Sequence, residues 1–218
     1  MRQWYKQCFT DRRFIYSLIE GFFLLGISLI IQFFTSAYVN SLPSTPVADL
    51  ILSNTRVHDV DGMFVWGTVF IFLFVVFLGI KEIQRVPFII KSVALFTLIR
   101  SVFVVLTHIS AFPTHIAISS AFFTREAFNG IFTGNDLFFS GHTGLPFLLA
   151  LMFWDSVYLR YIFLFFSGMF ATVVLLGHIH YSIDVLSAFF ITYSIFQLCK
   201  FFFKKDWELF GKKKDIII

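Results

Sequence analysis

Six stretches of apolar residues, set apart by polar connections, dominate the chain: about 15 to 39, 63 to 80, 88 to 110, 141 to 154, 158 to 176 and 181 to 203. An α-helix needs about 20 such residues to cross the hydrocarbon of a bilayer, and most of these stretches reach or approach that length. The fourth is short and opens on Ser140-Gly141-His142-Thr143. Polar backbone of that kind is tolerated at membrane depth only where protein or a watery cavity surrounds it, so the start of the fourth stretch is a place to look for chemistry. The pattern predicts an all-α polytopic membrane bundle of six transmembrane helices. It leaves no room for a second folded body, so we read residues 1–218 as a single integral membrane domain. The first apolar stretch follows a polar, basic segment and is much longer than a secretory h-region; it reads as a retained span.

The placement of basic residues then orients the bundle. With the N-terminus in the cytoplasm, that side receives Arg2, Lys6, Arg12, Arg13, Lys81, Arg85, Lys91, Arg160, Lys200, Lys204, Lys205, Lys212, Lys213 and Lys214, and the opposite side only Arg56 and Arg125. Excess Lys and Arg on the cytoplasmic side is the usual determinant of topology, so both termini are expected to be cytoplasmic. The two longer connections, about 40 to 62 and 111 to 140, carry Pro43, Pro46, Pro113, Gly130 and Gly134 and fall on the external or lumenal side.

Composition sharpens this picture. Of 218 residues 58% are hydrophobic, 14% are charged and 34 are Phe, with a mean hydropathy of +0.83; an ordinary soluble domain carries about a quarter charged residues. The formal charge of +4 is spread over connections and chain ends rather than one face, which argues against nucleic acid as a partner. Lys204, Lys205 and Lys212 to Lys214 could bind anionic lipid, although the topology rule already accounts for them. Cys8 and Cys199 stand near opposite ends, with no C-x-x-C pair and no Cys/His spacing for zinc. Neither a disulfide nor a metal site is expected.

Ionisable side chains within a bilayer cost about 2.5 to 3.5 kcal/mol each on insertion scales and point by default to function. Here they are Glu20, Arg100, His142, His178, His180 and Asp184. His180 and Asp184 are four residues apart at the start of the sixth stretch, within side-chain reach on one helix face. A carboxylate so placed can accept the imidazole Nδ1 hydrogen, fix the tautomer and leave Nε2 as nucleophile or base. Given the topology, His142 begins the fourth stretch at the same external end. The amides around Ser140 and Gly141 favour an anion, through unpaired N–H groups and the helix dipole. Arg100, about two thirds of the way to that side, offers a bidentate fork for phosphate. Two histidines, a carboxylate, a guanidinium and a helix N-terminus thus converge on a phosphate-sized space, which suggests phosphoryl or phosphodiester transfer. His178 reads as structural or supporting. A metal held by His178, His180 and Asp184 would require a non-helical Leu175 to Tyr181 turn and lacks a further carboxylate or Cys cluster. Glu20, His58, His108 and His115 receive no role.

Asn135-Asp136-Leu137-Phe138-Phe139-Ser140-Gly141-His142-Thr143 resembles the third signature of the sphingomyelin synthase family, a branch of the type 2 phosphatidic acid phosphatase superfamily, and His180-Tyr181-Ser182-Ile183-Asp184-Val185 resembles its fourth. Arg100-Ser101-Val102-Phe103 looks like the second signature, and Pro46-Val47-Ala48-Asp49 is a weak echo of the first. The likeness covers roughly residues 40–200. It departs from the family at Gly134-Asn135, where many members have Cys-Gly, and at Ser182, where Thr is usual. Val174 stands where the general lipid phosphatase signature places an arginine six residues before the histidine, which favours the synthase-like branch.

The resemblance implies that His180 is a nucleophile toward phospholipid phosphorus, that Asp184 orients it, and that His142 acts as acid and then base. The expected activity is transfer of a phospho-head-group from a glycerophospholipid donor to a lipid alcohol acceptor such as ceramide or diacylglycerol, through a phosphohistidine and without cofactor or metal. Arg100, Ser140 and Gly141 would bind the phosphate. Two alternatives stand beside it. A hydrolase of the phosphatase or phospholipase C type would use the same residues with water as acceptor, and a non-catalytic lipid transporter or scaffold would have inherited the fold. The expected location is a bacterial inner membrane with an outward-facing site or, failing that, an internal membrane with a lumenal site; the oligomeric state is left open.

Overall fold

The computed structural model describes residues 8–107, 109–116 and 137–211. These residues form helices and connecting turns, with no β-strand among them: α1 Arg12–Ser41, α2 Asp61–Lys81, α3 Val86–Leu106, α4 Gly141–Met152, α5 Val157–Leu176, α6 Ser182–Phe202 and α7 Lys204–Gly211, with single 3-10 turns at Leu52–Asn54 and Ile83–Arg85. Arg125, Gly130, Gly134 to Asp136, His108 and Lys212 to Lys214 lie outside the described residues.

Local chemistry sets the helix ends. Asp11 precedes α1 and accepts the Arg13 N–H at 2.9 Å, satisfying one of the amides a helix start cannot pair internally. At the other end Leu42 is extended (φ −92°, ψ 147°), the conformation that the following Pro43 imposes on its predecessor. Pro87 sits in the first turn of α3, where no N–H is missed. The predicted third span runs on to residue 110, but the helix stops at Leu106. Thr107 is extended, and Ile109 forms an isolated bridge with Thr45 of the first long connection.

Five helices, α1, α2, α3, α5 and α6, are long and apolar enough to cross a membrane. The remaining predicted span, 141 to 154, is a helix of only 12 residues, rising about 18 Å where the hydrocarbon core is about 30 Å thick. Pro146 lies inside it and has no N–H to offer the His142 carbonyl four residues back. Neighbours compensate for this weakness. α4 packs between α5 and α6 and touches α3, and eight of its residues, Thr143 to Met152 with two gaps, are buried. A Cβ on Gly144 would come within 2.8 Å of both Phe96 Cζ on α3 and Thr192 Oγ1 on α6, so glycine is what permits this approach.

The outer helices show the reverse distribution. On α2 only Phe64 is buried, while Phe70, Phe72, Leu73, Phe77 and Ile80 are more than half exposed. So broad an apolar surface is untenable in water and natural against lipid chains. α1 packs along α3 and α2 along α5. Between them the interior holds an aromatic and aliphatic core built around Phe88, Phe96, Phe139, Leu148, Phe163 and Ile195. α7 has no counterpart in the sequence reading; it folds back under the bundle, with Trp207 stacked on Phe210 and against Phe88.

Candidate active site

The chain reverses between α5 and α6, and this reversal positions His180. After Gly177 the backbone enters the left-handed region at His178 (φ 52°), uncommon for a residue with a side chain. The Ile179 and His180 amides then return to the Val174 carbonyl at 2.8 and 3.3 Å. The turn from Gly177 to Tyr181 is therefore not helical, and His178 and His180 separate for that reason rather than by pointing to different helix faces. His178 Nδ1 lies 2.6 Å from Thr114 Oγ1, Nε2 lies 3.4 Å from Thr55 Oγ1, and Phe112 packs edge-on against its ring. Both ring nitrogens thus serve the loops. Burial holds His178 below the ordinary imidazole value; His58 adds to this and Asp49 opposes it.

His180 precedes α6, so its meeting with Asp184 is also not a helix-face contact. Asp184 is the third residue of the helix, and its Oδ2 accepts the Tyr181 N–H at 3.0 Å. The same oxygen lies 3.4 Å from His180 Nδ1. Asp184 is wholly buried and His180 5% exposed, and neither His180 Nδ1 nor Asp184 Oδ1 has a hydrogen-bond partner among the described residues. A small ring rotation would close the pair to hydrogen-bonding distance. Catalytic contacts are commonly long without substrate and tighten when it binds.

The start of α4 faces this turn. Ser140 N–H donates to the Asp184 carbonyl at 3.2 Å, tying the two signature stretches backbone to backbone. Ser140 Oγ accepts from Thr143 N–H (3.4 Å) and Thr143 Oγ1 (3.1 Å). Ser140 therefore works as the helix cap and is itself fully buried. Arg100 reaches the same point from α3. Its Nε donates to the Phe139 carbonyl at 2.9 Å, and a Cβ on Gly141 would stand 3.5 Å from that nitrogen. The guanidinium thus lies against the first turn of α4, where helix amides and dipole favour an anion. The His142 ring is 4.3 Å from that of Phe64 and 5.8 Å from that of Phe170. Of the residues singled out in the sequence, Arg100 lies beside Gly141, Ser140 is bonded to Asp184, and Asp184 adjoins His180; His142 follows Gly141 in the same turn of α4.

Sequence reasoning missed the brace behind them. Asp49, seen before only in a weak echo of a signature, accepts four hydrogen bonds: Oδ2 from Ser182 N–H (2.7 Å) and Ser182 Oγ (2.8 Å), Oδ1 from the Ile51 (2.8 Å) and Leu52 (3.0 Å) amides. Burial would raise its carboxyl; these bonds outweigh burial and hold it below the usual carboxylate range. Tyr181, 1% exposed, donates its hydroxyl to the Ser110 carbonyl at 2.8 Å and accepts the Val47 N–H at 3.3 Å. Tyr181 and Ser182, which lie between His180 and Asp184 in the chain, are thereby fastened to both long connections.

The residues left without a role also find places. Glu20 pairs with Lys91 at the far end of the bundle (2.6 Å), His115 Nδ1 lies 2.9 Å from the Phe112 carbonyl, and the His58 amide donates to the Leu176 carbonyl at 2.8 Å. Lys91, counted above among the basic connections, is buried within α3. Among the described residues no group of three His, Cys, Asp or Glu side chains is arranged to hold a metal.

Comparison with known families bears on the same stretch. Residues 133–201 match the family model described as PAP2 superfamily C-terminal. The match includes His142, His180 and Asp184, leaves Arg100 and Asp49 outside it, and supports the PAP2 superfamily, whose members are typically phosphatases or phosphotransferases. No curated protein and no solved structure matches the chain.

Proposed function

We propose that the protein is a membrane lipid phosphotransferase that moves a phospho-head-group from a glycerophospholipid to a lipid alcohol such as ceramide or diacylglycerol. The observation that carries this reading is the convergence of the α4 N-terminus, Arg100 and the His180–Asp184 pair, joined by the Ser140 amide on the Asp184 carbonyl.

Chemistry follows from the positions. Asp184 accepts the Nδ1 hydrogen of His180 and leaves the Nε2 lone pair for phosphorus. As the P–N bond forms, the bond from phosphorus to the diacylglycerol oxygen breaks, and His142 gives that oxygen its proton. The head group, with its phosphate, then rests on His180. The acceptor hydroxyl loses its proton to His142 and attacks phosphorus, and His180 leaves. Negative charge on the non-bridging oxygens is met by Arg100 and the first-turn amides near Gly141, so a chelator is expected to leave turnover intact. The charge asymmetry of the connections supports cytoplasmic termini and an outward or lumenal site.

The test uses purified protein, phosphatidylcholine labelled at the head-group phosphate, and ceramide or diacylglycerol. Label arriving on the acceptor lipid, and lost in His180→Ala, is the expected result. Label released to water, again dependent on His180, would make the protein a hydrolase instead, and turnover that survives His180→Ala would overturn the site.

A further inference from the structure

At the end of the bundle opposite the candidate active site, a cavity of about 460 Å³ opens between α4, α6 and α7. Its walls change character along its length. Trp154 and Asp155, in the turn after α4, and Lys200, in the last turn of α6, line the end nearest the helix termini, its mouth, whereas Phe147, Tyr193 and Phe196, one to two turns further along α4 and α6, make up the apolar walls. Tyr193 is seven residues before Lys200 on α6, so the groove runs about 10 Å up the helix from its charged mouth. Tyr193 is 53% and Trp154 48% exposed, so the groove is open on its lipid side. Trp, Lys and Asp at the ends of membrane helices are residues suited to meet lipid head groups.

We propose that this groove binds one zwitterionic phospholipid, with its phosphate at Lys200, its amine at Asp155 and its upper acyl chains along Phe147, Tyr193 and Phe196. Charge complementarity selects the class. The mouth offers one ammonium and one carboxylate, and Asp155 forms no ion pair among the described residues. An anionic head group would be drawn to Lys200 but repelled by Asp155; an uncharged diacylglycerol would satisfy neither. The Lys200 ammonium itself lies 4.8 Å from the centre of the Phe196 ring, a cation–π contact that seats the charge where the polar end of the groove meets its apolar wall. Arg160 steadies Trp154, donating to its carbonyl at 3.2 Å and stacking 5.0 Å from its ring. The exposed Lys204 and Lys205 of α7 do not line the groove. This site is independent of the proposed transfer reaction and belongs to the other leaflet.

Native mass spectrometry of the purified full chain tests the site, with phosphatidylethanolamine, phosphatidylglycerol or diacylglycerol added to the detergent. The lipid signal that counts is the part retained in Arg100→Gln, so that lipid seated at the candidate active site does not enter. Phosphatidylethanolamine should be retained over the other two. Lys200→Gln should lower its retention about tenfold, the loss of a charged hydrogen bond, and Asp155→Asn should shift the preference toward phosphatidylglycerol. Thermal unfolding of both variants should match wild type, which separates lost binding from lost fold. Equal retention of phosphatidylethanolamine and diacylglycerol, a wild-type preference for phosphatidylglycerol, or retention untouched by both substitutions would overturn the proposal.

Discussion

The two ends of the bundle handle buried charge in opposite ways. At the end away from the candidate site, Lys91 is 3% exposed and its ammonium is consumed by Glu20 Oε2 (2.6 Å), Asp206 Oδ2 (2.8 Å) and Ser17 Oγ (2.9 Å). Charge answers charge, and the cluster ties α1, α3 and α7 together. At the site end, Asp184 and Asp49 are held mainly by backbone amides and a hydroxyl, with no Lys or Arg bonded to either among the described residues. His180 rests on Asp184 at 3.4 Å, and Arg100 is anchored through Nε to a carbonyl. The first arrangement fixes helices to one another and leaves no reactive atom over. The second holds an imidazole against a buried carboxylate and a guanidinium against the first turn of α4 through their surroundings. An ion cluster signals stability; ionisable groups oriented by backbone signal chemistry.

This contrast predicts that substitutions at one end remove activity from a folded protein, while those at the other unfold a protein whose folded fraction is active. The largest effect belongs to His180→Ala, which removes the nucleophile and should lower transfer by about 10⁴-fold or more with thermal unfolding little changed. His142→Ala should lower transfer by about 10² to 10⁴-fold, the range for a general acid and base. Acceptors of lower hydroxyl pKa should partly rescue the second half-reaction in it. Arg100→Lys keeps the charge but loses the planar fork, with an expected loss of about 10²-fold, the lower end for removing an oxyanion-type donor. At the opposite end, Lys91→Met leaves the Asp206 carboxylate buried without its ion partner and should cost about 3 kcal/mol of stability, read by unfolding in detergent. Activity per folded molecule should stay unchanged.

The smallest effect tests the brace. Asp49→Asn should cost about 1 to 2 kcal/mol, because a neutral amide replaces a carboxylate that accepts four hydrogen bonds. The folded carboxyl titrates below its unfolded value of about 3.9. Its stabilisation is therefore present above that pH and is lost as pH falls through the folded value. Unfolding curves of wild type and Asp49→Asn should differ at neutral pH and draw together below pH about 4; a constant gap would mean that Asp49 braces the loops by shape rather than charge.

Much of this architecture is legible in the chain because hydrophobic runs report helices well. The ends of α1, α2, α5 and α6 fall within three residues of those read from the pattern. Pro146 and the polar Ser140 to Thr143 opening mark α4 as unlike the others, but only packing decides that it is a short helix enclosed by its neighbours. α7 escaped because Lys204 to Gly211 is polar overall and carries only Trp207, Leu209 and Phe210 as large apolar residues. The six candidate site residues could be proposed from motif spacing and topology. Their geometric reasons could not: Asp184 meets His180 through a capping turn, and His178 turns away because its φ is positive. Asp49 and Tyr181 were out of reach for another reason. Their partners lie as much as 134 positions away along the chain, and several are backbone amides or carbonyls, which carry no mark in a sequence. The pairing of Glu20, Lys91 and Asp206 was hidden in the same way, across 71 and 115 positions.

The central claim is that the head group travels on His180. Wild type mixed with phosphatidylcholine labelled in its head-group phosphate, in the absence of acceptor, and quenched in alkali should carry label in the tryptic peptide containing His180, stable to base and released by acid. The labelled peptide should be missing from His180→Ala, and addition of acceptor before the quench should discharge it from wild type. Transfer to acceptor without any labelled protein intermediate, or label that persists in His180→Ala, would contradict the account.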